Sequence, residues 1–214
     1  MEYYVGKDYS LGGITLLCKF DGQRVTMASQ IAGADETVSS LYSVKSEQAT
    51  MLSFDTYNYL VHYFGQPQGS MADDPNGTLG GDYEFVISDA TADRIELKGK
   101  KYGNRIVMKA FSADQTWKQY LTRIKKVEDD AFFYEYDLRM DGLYTGQMLR
   151  SNYTFIVTYY DEVGKVYQKT VPFMFTTDGM RFHEPVTIDG QTMQNFVWKN
   201  EEISFVCTDE GATG

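Results

Sequence analysis

The chain has 214 residues, 43% of them hydrophobic and 23% charged, which suits one large β domain or two small lobes and excludes disordered, collagen-like and membrane-spanning classes. Lys and Arg number 20 against 30 Asp and Glu, a formal charge of −10, so the surface repels phosphate backbones and anionic headgroups, and nucleic acid is not an expected partner. No apolar run approaches the ~18 residues that span a bilayer, and no basic-then-apolar leader precedes Glu2-Tyr3-Tyr4-Val5, so any signal segment is expected to have been removed.

Strand signals dominate from the start. Ile14 to Phe20, then Asp21-Gly22, then Arg24 to Ser29 reads as a hairpin, because a tight turn between twisted strands needs positive φ, which Asp-Gly adopts cheaply. Ile14, Leu16, Cys18 and Phe20 share one face of the first strand, so Cys18 is expected to point inward. Strands follow at Ser39 to Val44 and Met51 to Phe54. Within Thr56 to Phe64 the residues Tyr57, Leu60, Val61 and Phe64 make a helical stripe ended by Gly65 and Pro67, or else the segment continues a strand. Gln66 to Asp82 has no periodic apolar face and reads as a loop, either mobile or functional. Its Asp73-Asp74-Pro75-Asn76-Gly77 run lacks the register of an EF-hand calcium loop, since Ala72 and Tyr83 fall at the end ligand positions, and reads as a solvated acidic loop, a calcium site of another kind being the alternative.

Tyr83 to Ser88, Arg94 to Lys98 and Arg105 to Phe111 are the next strands. Ser112-Ala113-Asp114-Gln115 has the form of a capping box, and Trp117, Tyr120, Leu121 and Ile124 then fall on one face of an amphipathic helix near 114–127 that should pack on a sheet. Beyond it come Phe132 to Met140, Tyr153 to Tyr160, Val166 to Thr176, Met193 to Trp198 and Ile203 to Cys207, punctuated by Asp141-Gly142, Glu162-Val163-Gly164, Asp178-Gly179 and Asp189-Gly190. The fold class is therefore mainly β, an antiparallel sandwich or barrel-like sheets with a short helix near 56–64. The expected organisation is a β lobe at 1–112, a connecting helix at 113–128 and a second β lobe at 129–214, or one compact packing of all three. Lys98, Lys100 and Lys101, with Lys125 and Lys126, are the best basic cluster and read as solvated faces.

Reactive chemistry is thin. His62 and His183 are the chain's two histidines. His183-Glu184-Pro185-Val186-Thr187 lacks the second histidine of a zinc helix and carries a proline that would break it, while His62 among tyrosines reads as a packed ring. Cys18 and Cys207, which shares parity with Ile203 and Phe205, read as two separate buried thiols, a bridge from the first strands to the last being the alternative. No phosphate-cradling glycine motif and no nucleophile elbow occurs. No catalytic residue, metal or cofactor is therefore expected, although carboxylates that meet only in space leave a hydrolase as a third reading. Aromatics are the positive feature, with 17 Tyr, 13 Phe and 2 Trp. In Tyr57-Asn58-Tyr59 and Tyr159-Tyr160 strand alternation turns some rings outward, so Tyr57, Tyr59, Tyr159 and Tyr160 are the candidate platforms for a sugar ring or peptide; cross-strand pairing is the plain structural reading.

Gly12-Gly13 through Lys19-Phe20-Asp21-Gly22 with Val25-Thr26, then Ser39-Ser40-Leu41-Tyr42-Ser43, Leu52-Ser53-Phe54-Asp55-Thr56-Tyr57-Asn58, Gly81-Asp82-Tyr83-Glu84-Phe85 and Leu97-Lys98-Gly99-Lys100-Lys101 carry a family likeness. In order and spacing over residues 1–110, this set resembles the Bacteroidetes lipoprotein family catalogued as domain of unknown function 4302. The resemblance implies a protein exported across the inner membrane and lipid-anchored in the cell envelope, periplasmic or surface-exposed, through a lipobox cysteine upstream of this chain. Such proteins are often encoded near outer-membrane nutrient-uptake components of the glycan-utilisation type, and the resemblance supplies no catalytic residues. The expected role is a non-enzymatic binding or accessory module for glycan or peptide, the alternative being a subunit that docks on an outer-membrane uptake complex.

Overall fold

A computed structural model describes residues 1–46, 48–67, 78–112, 114–161 and 163–210; the Asp73-Asp74 run lies outside them. In chain order the elements are β1 (Glu2–Val5), β2 (Gly12–Asp21), β3 (Arg24–Ser29), β4 (Val38–Ser46), β5 (Thr50–Phe54), α1 (Tyr59–His62), β6 (Glu84–Ala90), β7 (Arg94–Gly99), β8 (Arg105–Lys109) and α2 (Trp117–Asp130). They continue as β9 (Glu135–Met140), β10 (Leu143–Ser151), β11 (Thr154–Tyr160), β12 (Val166–Phe175), β13 (Gly179–Ile188), β14 (Gln191–Lys199) and β15 (Ser204–Cys207). Two compact units result, one of Met1–Ser10 with Ile14–Leu121 and one of Leu11–Gly13 with Thr122–Gly214, so the boundary falls inside α2.

In the first unit β1 to β8 form a closed antiparallel barrel in sequence order, β8 pairing back to β1 with Tyr3 opposite Ile106. β1 escapes a sequence reading because Tyr3, Tyr4 and Val5 are all buried, which removes the alternation that marks a half-exposed strand. Among the buried rings, Tyr3 and Phe54 each meet Phe85 edge-on at centroid distances of 5.8 and 6.3 Å, and Leu16, Met27 and Leu97 are fully buried. Each such side chain contributes roughly 2 kcal/mol of burial. The segment at Tyr57-Asn58-Tyr59 is not a strand: the Asn58 side chain caps α1 by accepting the Leu60 N–H at 3.2 Å while donating to Ser40 Oγ, so Leu60 and Val61 turn inward.

β2 is buried on both faces over residues 12–17 for a physical reason. Its Leu17, with Ala28 of β3, packs against Leu121 of α2, flanked by Trp117 and Tyr120. The helix begins later than its sequence signal, at Trp117 rather than near 114, because the working box is Thr116 to Gln119. The Gln119 backbone N–H donates to Thr116 Oγ1 at 3.2 Å and the Gln119 side-chain Oε1 accepts the Thr116 N–H at 2.9 Å.

The second unit holds a seven-stranded antiparallel meander in the order β15-β14-β13-β12-β11-β10-β9. Asp141-Gly142 and Asp189-Gly190 are two-residue hairpin loops with positive φ at both positions. Asp178-Gly179 is different: Gly179 opens β13, and a Cβ there would stand 2.0 Å from the Phe196 carbonyl oxygen, so close backbone approach dictates the glycine. The core is phenylalanine-rich, Phe155 stacking on Phe173 at 4.4 Å with Phe175 and Phe182 fully buried beside them. The strand expected at Phe132 to Met140 begins only at Glu135, because the turn that follows α2 takes the Phe133 N–H, which donates to the Ala131 carbonyl at 3.0 Å. Ile203 likewise lies outside β15, with φ 51 and 61% exposed. Cys18 and Cys207 are both free and half-buried, and burial pushes the Cys18 thiol up to about 12 and the Cys207 thiol upward. His183 sits on β13, an extended segment unlike the helix a zinc motif needs. Among the described residues no helix is long and apolar enough to cross a membrane.

Candidate functional site

Of the four tyrosines singled out by sequence, Tyr57 and Tyr59 lie in the first unit and Tyr159 and Tyr160 in the second. Tyr57 is 61% exposed beside His62, whose ring stacks on Tyr83 at 4.8 Å. Tyr59 donates its hydroxyl to the Glu36 carboxylate, and that bond, with burial and the charge itself, pushes the phenol up to about 12. Tyr159 stacks on its cross-strand partner Tyr167 at 5.3 Å, while Tyr160 points to the opposite sheet face. Tyr57, Tyr59 and Tyr159 thus each make a local contact within their own unit. The basic cluster is also dispersed into local contacts: Lys100 pairs with Glu84, Lys126 with Asp130, and Lys101 lies over the Tyr102 ring.

A concave site does form in the second unit, from residues that strand alternation does not single out. The last turn of α2 carries Glu128, and the chain then leaves Phe132, Phe133 and Tyr134 exposed at 76%, 42% and 72%. Opposite them the β10–β11 hairpin turns tightly at Asn152-Tyr153, with Ser151 paired to Thr154 and Asn152 at φ 53, a left-handed position that asparagine tolerates. This turn brings Arg150, Asn152 and Tyr153 together around a pocket of about 500 Å³ that Glu128, Phe132 and Tyr134 also line.

Arg150 is the centre of it. Its side chain is only 9% exposed, Nε donates to the Asn152 carbonyl at 2.9 Å, Nη1 donates to the Ala131 carbonyl, and Nη2 stands 3.7 Å from the Glu128 carboxylate. The guanidinium carbon lies 5.2 Å from the Phe132 ring centre and 5.0 Å from that of Phe175, with Tyr153 and Phe173 at 5.9 Å. Such contacts stabilise a shielded cation by about 1 kcal/mol each. Tyr153 donates its hydroxyl to Glu128 Oε1 at 2.7 Å. Burial, then the charge of Glu128, holds the Tyr153 phenol above its ordinary value, so it remains a proton donor. Of the pocket's side chains, one carries a positive and one a negative charge, and the pair is neutral overall.

Flat exposed rings beside a positioned donor and acceptor suit reversible recognition. The single lining carboxylate, already engaged by Tyr153 and Arg150, does not supply the two carboxyl groups of glycoside hydrolysis. Among the described residues, no group of three His, Cys, Asp or Glu side chains is placed to hold a metal. The signal that sequence reading passes over is the Phe132-Phe133-Tyr134 triplet directly after a helix, which period-2 alternation cannot bury.

A family model described as Domain of unknown function (DUF4302) matches residues 1–200. No curated protein and no solved structure matches the chain.

Proposed function

The chain belongs to the family described as Domain of unknown function (DUF4302), and on that premise we propose that it is a non-enzymatic binding module of the cell envelope, serving nutrient uptake and taking a glycan or peptide ligand in the Arg150 pocket. One observation carries the binding role: Phe132 and Tyr134 stay mostly in water at the mouth of a pocket whose floor is a shielded guanidinium. Large rings kept exposed and clustered are the mark of a recognition surface. The envelope location and the lipid anchor rest on the family resemblance, and fractionation of native cells checks them by recovering the protein with the envelope.

Glycan-array screening followed by calorimetry tests the binding role. Phe132→Ala and Tyr134→Ala are each expected to weaken the ligand found by about tenfold, the loss of one stacked ring. A ligand indifferent to both substitutions, or no ligand at all, counts against the reading. Docking on an uptake complex is the second reading, favoured by the two edge strands of the meander, β9 and β15. Stoichiometric protein partners captured from native membranes would support it.

A further inference from the structure

We propose that the Arg150 pocket takes an uncharged sugar ring; the inference rests on the binding role above and narrows its ligand. Arg150 and Glu128 are both largely shielded, 9% and 19% exposed, and stand 3.7 Å apart. A ligand carboxylate drawn to Arg150 would strip Glu128 of its partner in a poorly hydrated site, and a ligand ammonium drawn to Glu128 would strip Arg150. Either separates a shielded ion pair and leaves one of its charges with neutral hydrogen-bond partners alone, whereas an uncharged ligand leaves the pair intact. The Arg150 cation also lies against the Phe132 ring, drawing on the π density that a second cation would need.

Tyr153 and Arg150 both address Glu128 Oε1, and among the described residues Oε2 receives no hydrogen bond. The Ser151 hydroxyl and the Asn152 carboxamide, both exposed beside it, likewise have no side-chain partner among the described residues. That rim offers acceptors and donors side by side, which matches hydroxyl groups that give and take, not a carboxylate that only accepts or an ammonium that only donates. A peptide is less well served. The Arg150 N–H beside the pocket already donates to the Tyr134 carbonyl at 2.7 Å, and Arg150 pairs with Phe155 across the hairpin, so this backbone has no open ladder for an added strand. The exposed Phe132 and Tyr134 rings then supply the apolar faces on which the C–H side of a pyranose can stack.

The test is calorimetry on the whole chain with four kinds of probe: a set of neutral oligosaccharides (cello-, malto-, xylo- and manno-oligosaccharides) extended by a neutral glycan array, oligogalacturonate, chitosan oligosaccharide, and tryptic peptides of casein. The expected result is that a neutral oligosaccharide binds, that Phe132→Ala weakens it about tenfold, and that its affinity changes less than about twofold between roughly 50 and 500 mM NaCl. Tyr134→Ala serves as the second variant, and both must keep the parent's urea midpoint. Phe132-dependent binding of oligogalacturonate, chitosan oligosaccharide or casein peptides, with neutral sugars silent, overturns the sugar proposal and leaves the binding role standing. If no probe of any class responds to Phe132→Ala or Tyr134→Ala, the binding role falls and the proposal with it.

Discussion

Asp82 shows how a charged residue can be structural. It is 3% exposed, and its carboxylate accepts the backbone N–H groups of Lys101 at 2.7 Å and of Tyr102 and Asn104 at 3.1 Å. Asn104 completes the network, taking the Asp82 N–H and the Tyr3 hydroxyl on Oδ1 and donating from Nδ2 to the Gly80 carbonyl. A Cβ at Gly99 would stand 1.9 Å from Asp82 Oδ2, so that position admits no side chain. The arrangement is a nest of backbone amides of the kind that binds anions, occupied here by the chain's own carboxylate. Gly81-Asp82 and Gly99-Lys100-Lys101, two of the segments that carry the family resemblance, therefore meet in one cradle. Asp82→Asn would turn an amide toward those donors and is expected to lower unfolding stability by about 3 kcal/mol, read from urea titration.

Elements differ in how locally they are specified. The helical stripe Trp117, Tyr120, Leu121 and Ile124 is legible because it repeats at the helix's own period, and it continues in the buried Val127 and Ala131. Its cap is less legible, since two candidate boxes stand four residues apart and either has the right form. The bonds between Thr116 and Gln119 decide it, so Thr116→Ala is expected to destabilise by about 1 kcal/mol while Ser112→Ala stays within about 0.5 kcal/mol, both as shifts in urea midpoint. Of the Asp-Gly pairs, those at 141–142 and 189–190 act through their own dihedrals, whereas Gly179 answers to Phe196 on another strand. Replacing Gly190 by Ala is expected to destabilise by about 1 kcal/mol, measured the same way, because alanine resists positive φ.

Carboxylates stabilise both units of the molecule. The Ser53 hydroxyl, with the Lys45 ammonium 3.7 Å away, holds Asp55 below the usual carboxylate range, and the Lys165 N–H does the same for Asp161. At Asp209 burial opposes ionisation, but the Asn195 amides and the Gln194 N–H outweigh it and leave that carboxyl lowered too. Each depressed group contributes stability in full above the unfolded value of about 3.9, and that contribution is lost as pH falls through the depressed folded value. The urea midpoint is therefore expected to stay nearly level from about pH 7 to 5 and to drop below about pH 4, with Asp209→Asn flattening part of that fall. The sequence by itself determined the antiparallel β class, the acidic surface, most strand and turn positions and the helical face, because those depend on period and on turn chemistry within a few residues. Only the tertiary structure decided that β8 closes on β1, that Asp82 is cradled by the turn after β7, and that Glu128, Phe132 and Arg150 share a pocket. Those contacts follow from strand pairing and register between distant segments, and a hydrophobic pattern states which face of a strand is buried but not which other strand lies beside it.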